Sequence, residues 1–167
     1  MIVTGALLPA LMLLSWRRLA AIDAAAAAPV RQLALLRAVP FLSGLPTPTL
    51  ERLAGSLQPL HVEAGTIIFN QGEEGDRFYL LADGKVDVVV DGNRLATFSD
   101  GYYFGEIALL HDVPRTATVT AVTDVDLETL ERKEFLAAIT GYPPSAWEAD
   151  AVVATRLQEL RTNLGSR

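Results

Sequence analysis

Residues 104–119 read Phe104-Gly105-Glu106-Ile107-Ala108-Leu109-Leu110-His111-Asp112-Val113-Pro114-Arg115-Thr116-Ala117-Thr118-Val119. Gly105 lets the backbone pass close to a ligand and opens a short helix, whose free N–H groups can meet an anion. Pro114 ends the loop after that helix, and Arg115 enters the next strand. Its planar fork of donors matches a phosphate bidentately, which a lysine would do less well. Glu106 sits at the helix start, where its charge suits the dipole. A carboxylate beside a phosphate site is repulsive unless it faces hydroxyls, so the 2′-OH of a ribose is its sensible partner. Phe104, Ile107, Leu109 and Leu110 read as core, His111 as a solvated loop residue, and Tyr102 and Tyr103 as either core or rim.

Upstream of this stretch the apolar residues follow a period of two. Val62, Thr66–Phe69, Phe78–Leu81 and the alternating Val86, Val88 and Val90 predict strands. Asp91-Gly92 is a hairpin signal, with a return strand from Arg94 to Phe98. Thr116–Val122 and Asp126–Leu130 complete the set. Short strands at regular spacing with Gly-rich turns indicate an antiparallel jelly-roll-like β-roll, so the fold class is mainly β with flanking helices.

Helical signals surround the strands. Thr47 before Pro48 suggests an N-cap followed by proline at the first helical position, with Leu50, Leu53, Ala54 and Leu57 as the apolar face. Phe41 to Pro46 reads as a turn-rich entry. A helix is expected at about 132–139 on Phe135, Leu136 and Ile139. Ser145 and Glu148 suggest a capping box. The stripe Val153, Leu157, Leu160, Leu164 gives a last helix, 145–164, that could dock on its own barrel or pair with a second copy.

The segment 104–119 resembles the phosphate-binding cassette of cyclic-nucleotide-binding domains, which occur in catabolite-activator-like regulators, kinase regulatory subunits and nucleotide-gated channels. The resemblance covers roughly residues 41–140. Gly65-Thr66 before Ile67-Ile68-Phe69, the run Gln71 to Tyr79, and Gly84 match the family's early strands and glycine-containing turns. It implies that Arg115 takes the cyclic phosphate and Glu106 the ribose 2′-hydroxyl. Backbone N–H groups of Gly105, Ile107 and Ala108, with the Thr116 hydroxyl, would complete the cradle. Thr116 can bond the phosphate and, in relatives, the amino group of a syn guanine. The expected ligand is therefore cAMP first, with cGMP open and no metal.

Composition narrows the alternatives. The 167 residues allow one ordinary domain plus appendages, and 50% apolar with 20% charged residues is globular. A net charge of −6 argues against nucleic acid as partner, and segment 145–167, where Glu148, Asp150 and Glu159 balance Arg156, Arg161 and Arg167, offers no basic recognition helix. The absence of cysteine excludes disulfides and Cys-based zinc sites. His61 and His111 do not supply the ligand cluster of a metal-dependent barrel enzyme, and no nucleophile–base arrangement or phosphate-transfer loop is present, so the chain reads as a non-enzyme.

The beginning is different in kind. Residues 2–16 are apolar and uncharged, and Arg17-Arg18 come directly after them. That is shorter than the roughly 20 residues of a full span. Positive charge at the end of an apolar segment favours a cytoplasmic location for the chain beyond it. Residues 1–16 read as the end of a membrane helix, with a docked N-terminal helix or a signal peptide as the other readings. Residues 17–40 then read as a helical linker, 41–140 as the β-roll and 141–167 as a C-terminal lid or contact helix. The resulting expectation is a cytoplasmic regulatory module, tethered to a membrane partner or transporter. A free soluble sensor, or a degenerate domain used for interaction, is the alternative.

Overall fold

The structure is a computed structural model and describes residues 30–165. Two four-stranded sheets, every pairing antiparallel, form the centre of the molecule. One has the order β1(Gln58–Val62), β8(Val125–Glu131), β3(Arg77–Asp83), β6(Tyr103–Phe104). The other runs β2(Ile67–Phe69), β7(Thr118–Ala121), β4(Lys85–Val90), β5(Asn93–Ser99). Their inner faces meet through Phe69, Leu81, Val86, Val119 and Leu127, which closes a roll.

The strand alternation places side chains in two different cores. Tyr79 and Leu81 of β3 point into the roll, whereas Phe78 and Leu80 point out to a layer of helices. That layer comprises α1 (30–38), α2(Pro40–Ser43), α3(Thr47–Ser56), α5(Arg132–Thr140) and the long α6(Pro143–Gly165). Phe41, Phe78 and Phe135 are fully buried there, with Phe78 and Phe135 stacked at 4.7 Å between ring centroids. The short helix α4(Glu106–Leu110) lies between the roll and α6.

The expected strands are all present, with Thr116–Val122 shortened to Thr118–Ala121. Four local expectations are corrected. Residues 41–45 are not merely a turn, since Pro40–Ser43 is helical. Thr47 is the first residue of α3 rather than its cap; Pro46 holds the cap position with no side-chain bond. Ser145 lies inside α6, which begins at Pro143, so the capping box does not form. Proline lacks the amide hydrogen that a helix start leaves unpaired, and two prolines there move the start upstream. The described part of the segment expected to link, residues 30–40, passes into the core instead, where Leu36 and Val39 are fully buried.

The α6 helix packs on α2, α5 and α4 of its own chain, and Val153 of its apolar stripe is fully buried. The side chains of Leu160 and Leu164 lie outside the described residues, as do the apolar segment 2–16 and the linker up to 29. No helix among the described residues is long and apolar enough to cross a membrane.

Candidate nucleotide-binding site

The chain turns from β6 into α4 at Gly105, whose φ is +88°. A Cβ there would lie 2.6 Å from Arg115 Nη1 and 3.0 Å from the Arg77 carbonyl oxygen. Glycine is therefore required both by the left-handed backbone and by the passing guanidinium. Arg115 is 3% exposed. Its Nη1 donates to the Gly105 carbonyl at 2.9 Å and its Nη2 to the Arg77 carbonyl at 2.8 Å. Asp76 stands 3.4 Å from Nη2. The guanidinium lies over the Phe69 ring, 4.2 Å from its centroid, an arrangement that favours the cation. Its Nε, also buried, has no hydrogen-bond partner among the described residues.

The loop before β3 holds this arginine from behind. Arg115 N–H donates to the Glu73 carbonyl at 2.7 Å, and Gly72 N–H to the Arg115 carbonyl at 2.8 Å. The same loop touches α4 at Gly75, where a Cβ would lie 2.6 Å from Ala108 Cβ. Asp112, a conceivable partner for Arg115, pairs with Arg132 instead. Burial pulls the Arg115 guanidinium down from its ordinary value, while Tyr79, Asp76 and Glu106 oppose that pull. An arginine stays protonated under such a shift.

Glu106 is 1% exposed and is bonded by Nη1 of Arg156, a residue of α6. Arg156 also donates to the Tyr103 carbonyl from both Nη atoms at 3.3 Å. Its guanidinium sits 4.3 Å from the Tyr103 centroid and 4.9 Å from that of Tyr102. Burial pushes the Glu106 carboxyl up from the usual carboxylate range, and the Arg156 charge opposes it.

One cavity of about 150 Å³ joins these groups. All six residues singled out from the sequence, Gly105, Glu106, Ile107, Ala108, Arg115 and Thr116, line it. Apolar side chains of the second sheet, Val88, Leu95 and Phe98, form a further wall, and Arg156 and Glu159 of α6 close one side. Phe104 and Ile107 belong to the core and to the cavity wall at once. Tyr103 is buried in the helical core, and Tyr102 lines the cavity, which resolves the two tyrosines differently. Sequence reasoning missed Asp76 and Arg156. A signal for Arg156 existed: it stands three residues after Val153, so the helical period puts its charge on the inward face.

The chain is 41% identical over 102 residues to a cAMP-dependent protein kinase regulatory subunit of Schizosaccharomyces pombe, covering 60% of this chain and 25% of that one. It is 44% identical over 102 residues to the subunit of the same name from Yarrowia lipolytica, covering 60% and 27%. The chain thus spans about a quarter of the length of these relatives. Among solved structures, cAMP-bound PfPKA-R superposes with a TM-score of 0.73 at 30% identity, over 86% of this chain and 49% of that one. PKAR CBD2 bound to Sp-2Cl-cAMPS gives 0.67 at 30% identity, over 81% and 92%. The description "cyclic nucleotide-binding domain" matches residues 59–142, and the chain belongs to that family.

Proposed function

We propose that this chain is a regulatory sensor that binds a cyclic purine nucleotide, cAMP ahead of cGMP, in the cavity between α4, β7 and α6. The observation that carries the reading is the buried Arg115, with an unpartnered Nε, lining the same cavity as the buried carboxylate of Glu106. Arg115 meets the cyclic phosphate, and Glu106 accepts from the ribose 2′-hydroxyl. N–H groups of Gly105, Ile107 and Ala108 and the Thr116 hydroxyl surround the phosphate, and Val88, Leu95 and Phe98 offer the base an apolar wall. The similar structures bound to cAMP and to Sp-2Cl-cAMPS support the choice of nucleotide.

Regulation arises from where Arg156 is anchored. Its bond to Glu106 connects the ribose end of the site to α6, so a ligand that engages Glu106 shifts the balance between docked and released α6. A switch taken from mostly off to mostly on needs affinities for the two forms that differ by about 10⁴-fold. The apolar residues 2–16 with Arg17-Arg18 after them support a membrane-side place of action. Detergent-dependent extraction of the full chain, lost when the chain starts at residue 30, is the expected result there.

Calorimetric titration with cAMP and cGMP tests the site. Arg115→Ala is expected to weaken binding by roughly 2–5 kcal/mol, because it removes one partner of a buried charged contact. Unchanged affinity in a folded variant overturns the reading. A 2′-deoxy nucleotide that binds the wild type as well as its parent does would remove Glu106 from the ribose role.

A further inference from the structure

If Arg115 grips a phosphate, as proposed above, what sets that guanidinium in place matters as much as its charge. Arg132 is the first residue of α5 and follows directly on β8, whose last residue, Glu131, pairs with Arg77 of β3. The Arg132 N–H donates to the Asp76 carbonyl at 2.8 Å, which carries that ladder one step further. Its guanidinium then reaches two separate pieces of chain. Nη1 donates to the Gly75 carbonyl at 3.1 Å, and Nη2 to the Asp112 carboxylate. None of Arg132, Gly75, Asp76 and Asp112 lines the cavity itself.

The two pieces are the ones that fix Arg115. Asp76 and Arg77, next after Gly75, hold its Nη2 at 3.4 and 2.8 Å. Asp112 lies three residues before it, in the loop leading to β7, with a left-handed φ of +52° that is uncommon in residues other than glycine. The Arg132–Asp112 pair is too exposed to add much stability, the two side chains being 30% and 86% accessible. Its effect is geometric. A forked donor joins both loops through separate nitrogens, which a single ammonium would do less well. Resting on the nucleotide reading, we infer that Arg132 is a positioning residue, which ties the loop before β3 to the loop carrying Arg115 so that the Arg115 guanidinium stands ready before the phosphate arrives. A donor already in place loses less freedom when the ligand binds.

Calorimetry on the full chain provides the test, using cAMP, its 2′-deoxy analogue and the Rp and Sp phosphorothioates of cAMP. Arg132→Met keeps the aliphatic stem and removes the donors. It should weaken cAMP binding about tenfold, the lower range for a hydrogen bond to a charged group. The affinities of the two phosphorothioates should draw together, since a loosened Arg115 distinguishes the two exocyclic positions less sharply. The ratio of cAMP to its 2′-deoxy analogue should keep the wild-type value, because the Glu106–Arg156 pair is untouched. Arg132→Lys should recover part of the affinity. Asp112→Asn suits the left-handed backbone and should weaken cAMP binding less than Arg132→Met does, with the two losses not adding in the double variant. It gives the answer by itself where Arg132→Met does not fold. Wild-type affinity in either folded variant, fully additive losses, or an equal fall in ribose discrimination overturns the inference, while the Arg115→Ala result stands. A wild type that binds neither cAMP nor cGMP overturns the nucleotide reading as well.

Discussion

Two groups that the sequence singles out, Gly105 and Arg115, turn out to constrain each other directly. The sequence makes Gly105 a point of close backbone approach to a ligand; in the fold the nearest approach is to Arg115 Nη1, at the position where a Cβ would stand. Gly105→Ala therefore has two costs, a left-handed backbone for a residue with a Cβ and a displaced guanidinium. The expected loss is roughly 1–3 kcal/mol of stability together with weaker nucleotide binding, read from the urea midpoint and from calorimetry. A variant that unfolds at the wild-type midpoint would show that the loop yields at no cost. That Gly105, Glu106 and Arg115 share one cavity was legible from the short segment that carries them. The partners of Arg115 were not, since the carbonyls of Gly105 and Arg77 carry no signature in the side-chain alphabet. Asp76 sits 39 positions away, and the pairing arises only because the loop before β3 bonds the Arg115 backbone through Gly72 and Glu73.

Elements were legible to the extent that their periods were clean. The alternation of β4 and the Asp91-Gly92 turn mark a hairpin that forms as expected, Asp91 itself having φ +49°. Helix starts were less legible, because Ser145 and Thr47 look like caps, whereas Pro143 opens α6 two residues before Ser145 and Pro46 takes the cap position before Thr47. The role of α6 in the site depends on tertiary contact, and a sequence stripe states which face is apolar without stating what an arginine within it will meet. Arg156→Ala leaves Glu106 buried with its charge partner removed, and breaking such a pair costs about 3–5 kcal/mol. Faster hydrogen exchange along α6 is the accompanying signature. The pH dependence has a definite sign. Burial raises the folded Glu106 carboxyl above its unfolded value, so its stability contribution is full below the ordinary carboxylate range and is lost as pH rises through the raised one. Removing Arg156 raises it further, so the variant should fall furthest below wild type near neutral pH and approach it as pH drops. A penalty independent of pH would mean that Arg156 acts through its packing on Tyr102 and Tyr103 alone.

At the level of the whole molecule, the site lies where two cores meet. Arg115 is packed against Phe69 and Tyr79 of the roll, while Glu106 is held from α6, which belongs to the helical layer. The strand β3 feeds both, with Tyr79 and Leu81 on one face and Phe78 and Leu80 on the other. A structure so connected should unfold in one step, and an injury to the helical layer should be felt in the roll. Phe135 is the place to injure it: fully buried, stacked on Phe78 and edge-on to Phe41 at 6.1 Å. Phe135→Ala should cost about 3–5 kcal/mol. Trp147 is 73% exposed and a poor reporter of this core, whereas Tyr79 and Tyr103 are buried in the two layers. Near-ultraviolet circular dichroism of the tyrosines and far-ultraviolet circular dichroism of the backbone should therefore shift to the same lower midpoint. If the far-ultraviolet signal instead splits, with helices released while β7 and β8 amides keep wild-type protection, the two layers are separate cooperative units. On the function proposed above, a ligand at Glu106 would then act on α6 by loosening a docked layer, with the roll unaffected.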